Sequence, residues 1–259
     1  MLIGSPDEVQ PDLQWTIRIR DPQAFAERFR KPQPGPATCR GVVYVSLGNE
    51  DVEAVLVSLW SLRKHWTGPV CVLSAGDESG SLYMACTRLG VEFRNVPAGC
   101  HHYPDELKAL MALDWSPFSE SVFIHAATVV NGSPEFLFAE IESDRDHALC
   151  PVAGMRDGQA ASTAVIAWRK GSRLLDALRA TAAGLAPIPG SRPVEDALNL
   201  LSGSAIFHVL SGYPVWEGPA KRVPAGTWLQ SLPLLHRAGG LHLYAPWAEL
   251  EKEILAKMS

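Results

Sequence analysis

The feature that most constrains this chain is an alternation, from residue 41 onward, of short apolar runs with stretches whose apolar residues recur at helical spacing. Gly41 to Leu47 is a valine-rich run. It is followed by Gly48-Asn49-Glu50 and then by Val52, Val55, Leu56, Leu59 and Leu62, one face of a helix. Acids at Glu50, Asp51 and Glu53 suit the positive end of that helix, and Arg63, Lys64 and His65 suit its negative end. Thr67-Gly68-Pro69 breaks it before a second apolar run, Val70 to Ser74. Leu82, Ala85, Cys86 and Leu89 then form a helical stripe ahead of Val91, Phe93 and Val96. A strand that is apolar on both faces must be covered on both, so this pattern predicts an α/β fold with a mostly parallel central sheet and helices on both faces.

Farther on, Leu107, Leu110, Met111 and Leu113 predict a helix and Ser121 to Ile124 a central strand that runs into His125-Ala126-Ala127-Thr128. Ala164 to Trp168 reads as a strand, Ser172 to about Ala183 as a helix, and Val194 to Leu201 as another helix after a Pro/Gly-rich loop. The remainder reads as short strands and loops with a helix near the C-terminus. Ligands of such sheets lie beyond the carboxyl ends of the strands, which here are Ser46 to Glu50, Ser74 to Asp77, and Ile124 to Thr128.

Ahead of the alternation, Trp15, Ile17 and Ile19 suggest a strand, Asp21-Pro22 starts a helix carrying Phe25 and Phe29, and Lys31 to Pro36 holds three prolines and a glycine. Residues 1–38 are therefore expected to be an N-terminal extension and linker, and 39–259 the main domain. With 47% hydrophobic residues, 259 residues supply one substantial core without metals or disulfides. A net charge of -5 with no long basic run gives no electrostatic reason for a nucleic-acid or membrane partner. No apolar stretch approaches a bilayer span, and the first residues carry Asp7, Glu8 and Asp12, so the expected location is cytoplasmic. The five cysteines are scattered in apolar context and read as buried thiols.

Several segments, taken in order, resemble the nucleotide-sugar glycosyltransferases of the GT-A type, in particular their glycogenin-like and galactosyltransferase-like branch. Tyr44-Val45-Ser46-Leu47-Gly48-Asn49 is similar to the opening strand and nucleotide-contacting turn. Lys108 precedes Ser116-Pro117-Phe118, Val122-Phe123-Ile124-His125-Ala126-Ala127-Thr128 and Phe136-Leu137-Phe138 at the family's spacing. Ser162 to Arg169 resembles a later core strand, Glu195-Asp196-Ala197-Leu198-Asn199 a conserved-type helix, and Val223-Pro224 with Trp228 a late turn. Leu241-His242-Leu243-Tyr244 resembles a late strand whose histidine binds metal in some members.

The resemblance implies a nucleotide-diphosphate sugar donor and an acceptor it does not identify. It also exposes a departure, because the family's metal-binding Asp-x-Asp stands here as His125-Ala126-Ala127. Alanine coordinates nothing, and one imidazole replaces two carboxylates poorly for Mn²⁺ or Mg²⁺, so an ordinary divalent-metal cofactor is not expected. Cations or helix ends would then stabilise the departing diphosphate.

The residues implied at the nucleotide-sugar site are Ser46, Leu47, Asn49, Asp77, Lys108, Ala126, Ala127, Arg169 and His242, with Lys221 and Arg222 as further cations. The implied catalytic residues are Asp196 or Glu195, as the carboxylate receiving the acceptor proton, and His125 as a diphosphate contact or base. His125 also has a structural reading as a hydrogen-bonded strand-end residue, Glu195 as a first-turn helix acid, and Asp77 as a turn former. Trp216, Trp228 and Trp247 suit sugar stacking or core packing. The alternative function is a catalytically inactive GT-A-like binding or scaffolding protein. A sugar-1-phosphate nucleotidyltransferase is disfavoured, since Ser46-Leu47-Gly48-Asn49 stands where its glycine-rich phosphate loop would follow the first strand.

Overall fold

The computed structural model describes residues 40–48, 51–75, 80–96, 104–143, 149–154, 162–190, 192–202, 210–219 and 225–258. The proposed N-terminal extension lies outside them, as do Asn49, Asp77, Lys221 and Arg222.

The first apolar run is strand β1 (Arg40–Ser46), and the stripe after it is helix α1 (Val52–Arg63). Then follow β2 (Val70–Ser74), α2 (Gly80–Arg88), β3 (Glu92–Asn95), α3 (Asp105–Ala112) with a 3₁₀ turn over Leu113–Trp115, and β4 (Glu120–Ile124). The later elements are β5 (Thr128–Val130), α4 (Glu135–Ser143), β6 (Leu149–Gly154), β7 (Val165–Arg169), α5 (Arg173–Leu185), α6 (Pro193–Ser202), β8 (Leu210–Glu217), β9 (Leu229–Ser231), α7 (Pro233–Arg237) and α8 (Ala245–Met258).

The strands form one sheet in the order β3-β2-β1-β4-β7-β6-β8-β9-β5. The block β3-β2-β1-β4 is parallel throughout. Strand β7 enters antiparallel to β4, with Glu120 opposite Arg169 and Ile124 opposite Val165. Strands β8 and β6, and β9 and β8, are parallel pairs, whereas β6 with β7 and β5 with β9 are antiparallel. The sheet is thus mostly parallel, as the alternation predicts.

Side chains alternate across a strand, so β1 and β4 feed a core on each side of the sheet. Val42, Tyr44, Val122 and Ile124 face one, with α1, α4 and α8; Val43, Val45 and Phe123 face the other, with α3, α5 and α6. Helix α1 is apolar around most of its circumference because it is sandwiched between the sheet and α8. Trp60 Nε1 donates to Glu253 at 2.9 Å across that contact. Gly41 is required where it stands, because a Cβ there would run into the Phe118 ring. Trp228 and Trp247 are buried and belong to the core. Cys71 and Cys86 are buried free thiols, as expected, and burial pushes both well above the ordinary thiol range. No described helix is long and apolar enough to cross a membrane.

Candidate active site at the carboxyl end of β4

The chain leaves β4 through a tight turn built by its own polar atoms. The His125 amide donates to the Ala164 carbonyl at 2.8 Å, which holds the turn against the start of β7. His125 Nδ1 accepts the Ala127 amide at 3.2 Å, and Thr128 Oγ1 donates to the His125 carbonyl at 2.9 Å. The Thr128 hydroxyl is 2.6 Å from Ser58 Oγ, which lies 3.2 Å from the hydroxyl of the fully buried Tyr44. A polar line therefore runs from the turn into the core between α1 and β1.

An imidazole that accepts at Nδ1 carries its proton on Nε2, so His125 offers a donor there. Burial lowers its pKa to about 4, and the charges of His236 and Arg237 push in the same direction, so the ring is neutral near pH 7. Ala126 and Ala127 are both buried, and the Ala127 carbonyl accepts the Leu232 amide at 2.8 Å. That bond moors the chain entering α7 to the turn.

Helix α7 brings His236 and Arg237 to this place, two residues that the sequence reading passed over. His236 Nε2 lies 3.5 Å from Asp51 Oδ1, while Asp51 Oδ2 accepts the Leu47 amide at 2.7 Å. Asp51 thereby ties the exit of β1 to α7. Arg237 Nη2 reaches Glu106 Oε1 of α3 at 2.9 Å. The available signal was a His-Arg pair directly after a prolyl-initiated apolar turn, but nothing local links it to residue 125.

Of the expected residues, Ser46 and Leu47 line the exit of β1. Ser46 Oγ donates to the Gly48 carbonyl at 3.2 Å, and the Ser46 carbonyl accepts the Ala75 amide, pinning the exits of β1 and β2 together. Lys108 sits on α3 and pairs with Asp105 one turn away at 2.9 Å. Arg169 is not brought to the site. It lies opposite Glu120 at the start of β4, about 13 Å along a five-residue strand from Ile124, and pairs with Glu120 at 3.3 Å. The antiparallel entry of β7 is what sends it to the wrong end. The segment of His242 forms a 3₁₀ turn over Leu241–Leu243 instead of the expected strand, with Leu241 buried and His242 exposed within electrostatic reach of Glu251.

The two candidate acids stand on the first turn of α6. Asp196 Oδ2 accepts the Arg192 amide at 3.0 Å, and Glu195 Oε2 pairs with Arg192 Nη1 at 3.0 Å. Glu106 lies within electrostatic reach of Arg192 as well as bonding Arg237, so it links the head of α6 to the arginine beside His125.

The donor set at the turn does not suit a hard divalent cation: Ala126 and Ala127 have no ligand atoms, and His125 Nδ1 is already an acceptor for a backbone amide. Among the described residues no group of three His, Cys, Asp or Glu side chains is arranged to hold a metal ion.

No protein-family model and no curated protein sequence matches the chain. Solved structures do match. The galactosyltransferase LgtC, in an active-site mutant form, superposes with a TM-score of 0.57 at 13% identity, covering 82% of this chain and 95% of LgtC. Mouse xyloside xylosyltransferase 1 gives 0.53 at 10% identity over 76% of this chain and 97% of that one. The glycosyltransferase GlyE of Streptococcus pneumoniae TIGR4 gives 0.53 at 14% identity over 67% of this chain, which spans 45% of GlyE's length. At such identities the likeness is one of backbone, and the backbone is the GT-A glycosyltransferase fold.

Proposed function

We propose that the protein is a glycosyltransferase that moves a sugar from a nucleotide-diphosphate donor to an acceptor without a metal held by an Asp-x-Asp pair. The observation that supports this reading is the turn after β4: Ala126 and Ala127 supply no ligand atoms there, and His236 and Arg237 of α7 come within electrostatic reach of His125. LgtC has been solved with donor and acceptor sugar analogues, which supports transfer of a sugar from a donor to an acceptor as the reading for the shared fold.

In the reaction the bond between the sugar's anomeric carbon and the diphosphate oxygen breaks, and one to the acceptor oxygen forms. The leaving group takes the electron pair as negative charge. In this reading Arg237, His236 and the Nε2–H of His125 meet that charge, since fixed donors in a partly desolvated site stabilise it strongly. Asp196 receives the acceptor's proton; a carboxylate accepts several hydrogen bonds, so its bond from the Arg192 amide is compatible with the role. The exit of β1, at Ser46 and Leu47, holds the nucleoside.

A second reading, a GT-A-like binding protein without activity, draws on the local engagement of both Glu195 and Asp196 at the end of α6. Calorimetric titration with UDP-, GDP- and dTDP-sugars, first in EDTA and then with Mn²⁺, followed by an assay of donor breakdown, tests both. Binding in EDTA together with donor turnover is expected. Binding without turnover selects the second reading, no binding to any donor overturns both, and strict Mn²⁺ dependence overturns the metal-free chemistry.

A further inference from the structure

The ion pair between Arg237 and Glu106 joins residues 131 apart in sequence and spans the two layers of the fold. Helix α3 is anchored by Leu107 and Leu110 in the core on one side of the sheet, while α7 follows Leu232, which belongs to the core on the other. The two meet beyond the carboxyl edge of β4, because α7 is moored to the Ala127 carbonyl and Arg237 is close enough to His125 to disfavour a charge on its ring. The one anion that the pair presents there is the Glu106 carboxylate. Its side chain is 37% exposed and that of Arg237 is 62% exposed, so the pair is a solvent-screened contact of the kind that contributes little to stability. A pair that does so little for the fold is readily exchanged for another.

Resting on the reading above, we infer that Glu106 is a resident counter-anion of the diphosphate site: it occupies Arg237 when no donor is bound, and an incoming diphosphate displaces it. A dianion that takes Arg237 leaves Glu106 beside a second cation, Arg192, at the head of α6. Arg192 already pairs with Glu195 and donates its amide to Asp196. Donor binding thus shifts a carboxylate from α7 toward the helix end that bears the proposed base, and couples the two halves of the site through charges already in place. Glu106 opposes donor binding, which is the reverse of what a residue that contacts the donor would do, and the sign of its effect is therefore diagnostic.

The test is calorimetric titration of the full chain with inorganic pyrophosphate and with UDP, in EDTA at low ionic strength, for the wild type, Glu106→Gln, Arg237→Gln and the double variant. Thermal melts confirm that each variant folds. Glu106→Gln is expected to bind pyrophosphate and UDP about three- to fivefold more tightly than wild type, the scale of one exposed ion pair. Arg237→Gln is expected to bind more weakly, and adding Glu106→Gln to it is expected to change little, because the pair is already broken. Wild-type binding that Glu106→Gln leaves unchanged or weakens overturns the counter-anion role and leaves the proposed function standing. An equal gain on the Arg237→Gln background overturns the displacement, since the effect would not pass through Arg237. Absence of pyrophosphate and UDP binding in all four proteins removes the donor site itself.

Discussion

His125 Nδ1 accepts the backbone amide of Ala127 at 3.2 Å, so the side chain at the end of β4 shapes its own turn and keeps only Nε2 for another partner. The same geometry fixes a pH dependence. In the unfolded chain the imidazole titrates near 6.5, whereas in the fold burial and the charges of His236 and Arg237 lower it to about 4. Between those values the unfolded state binds more protons. Stability is therefore fully present above pH 6.5 and is lost as the pH falls toward 4, by an amount on the order of 3 kcal/mol. His125→Asn keeps an acceptor for the Ala127 amide and removes the titration, so urea unfolding at pH 7, 5.5 and 4.5 should show a shallower decline in the variant. Parallel declines would place the acid sensitivity elsewhere.

Asp51 serves two elements at once, through the Leu47 amide and His236. Asp51→Ala leaves the Leu47 donor without its partner and is expected to cost about 1–3 kcal/mol. Asp51→Asn retains an acceptor for that amide and should recover most of the loss, while weakening the hold on His236. Denaturant midpoints for the two variants check the ordering; equal midpoints would show that the Leu47 bond does not matter.

How much of this could be read from the residues follows from which interactions are local. The strand–helix alternation through β4 is legible because covering both faces of a parallel strand demands continuous apolar runs, and the position of the site follows from sheet topology. Arg169 was misjudged because strand direction leaves no trace in periodicity: β7 looks like any buried strand, yet runs antiparallel to β4 and carries its arginine to the far end. His236 escapes a sequence reading for a similar reason: only the long-range bond from the Leu232 amide to the Ala127 carbonyl brings the start of α7 to the turn after β4. That the turn after β4 carries no carboxylate at residues 125–127 is, by contrast, plain from the sequence.

Asp196 and Glu195 share a helix turn and a partner in Arg192, so a comparison of the two isolates the chemistry from the helix end. If Asp196 takes the acceptor's proton, Asp196→Asn should lower turnover of the donor by at least about a hundredfold while donor affinity is kept. Glu195→Gln, which removes the ion pair to Arg192, should change turnover by a few fold. Steady-state kinetics with the best donor found by titration decide it, and equal losses would assign both residues to the helix terminus.

Ala127 is fully buried and its carbonyl is tied to Leu232, whereas residue 125 retains some exposure. Restoring acids at the two positions should therefore have unequal effects. His125→Asp places a short acceptor where Nδ1 now receives the Ala127 amide, a conformation that aspartate adopts readily, and should cost no more than about 1 kcal/mol at pH 7. Ala127→Asp forces a carboxylate into a packed site with no partner for it and should cost about 3 kcal/mol or more. Chemical denaturation of the two single variants, repeated with millimolar Mn²⁺, measures both costs and any recovery by metal. A tolerated Ala127→Asp that Mn²⁺ then stabilises would mean that the turn has kept the shape of a metal site. The expected outcome, a large loss that Mn²⁺ does not restore, would mean that the fold is packed around the alanines and that this turn has no room for a metal-binding carboxylate.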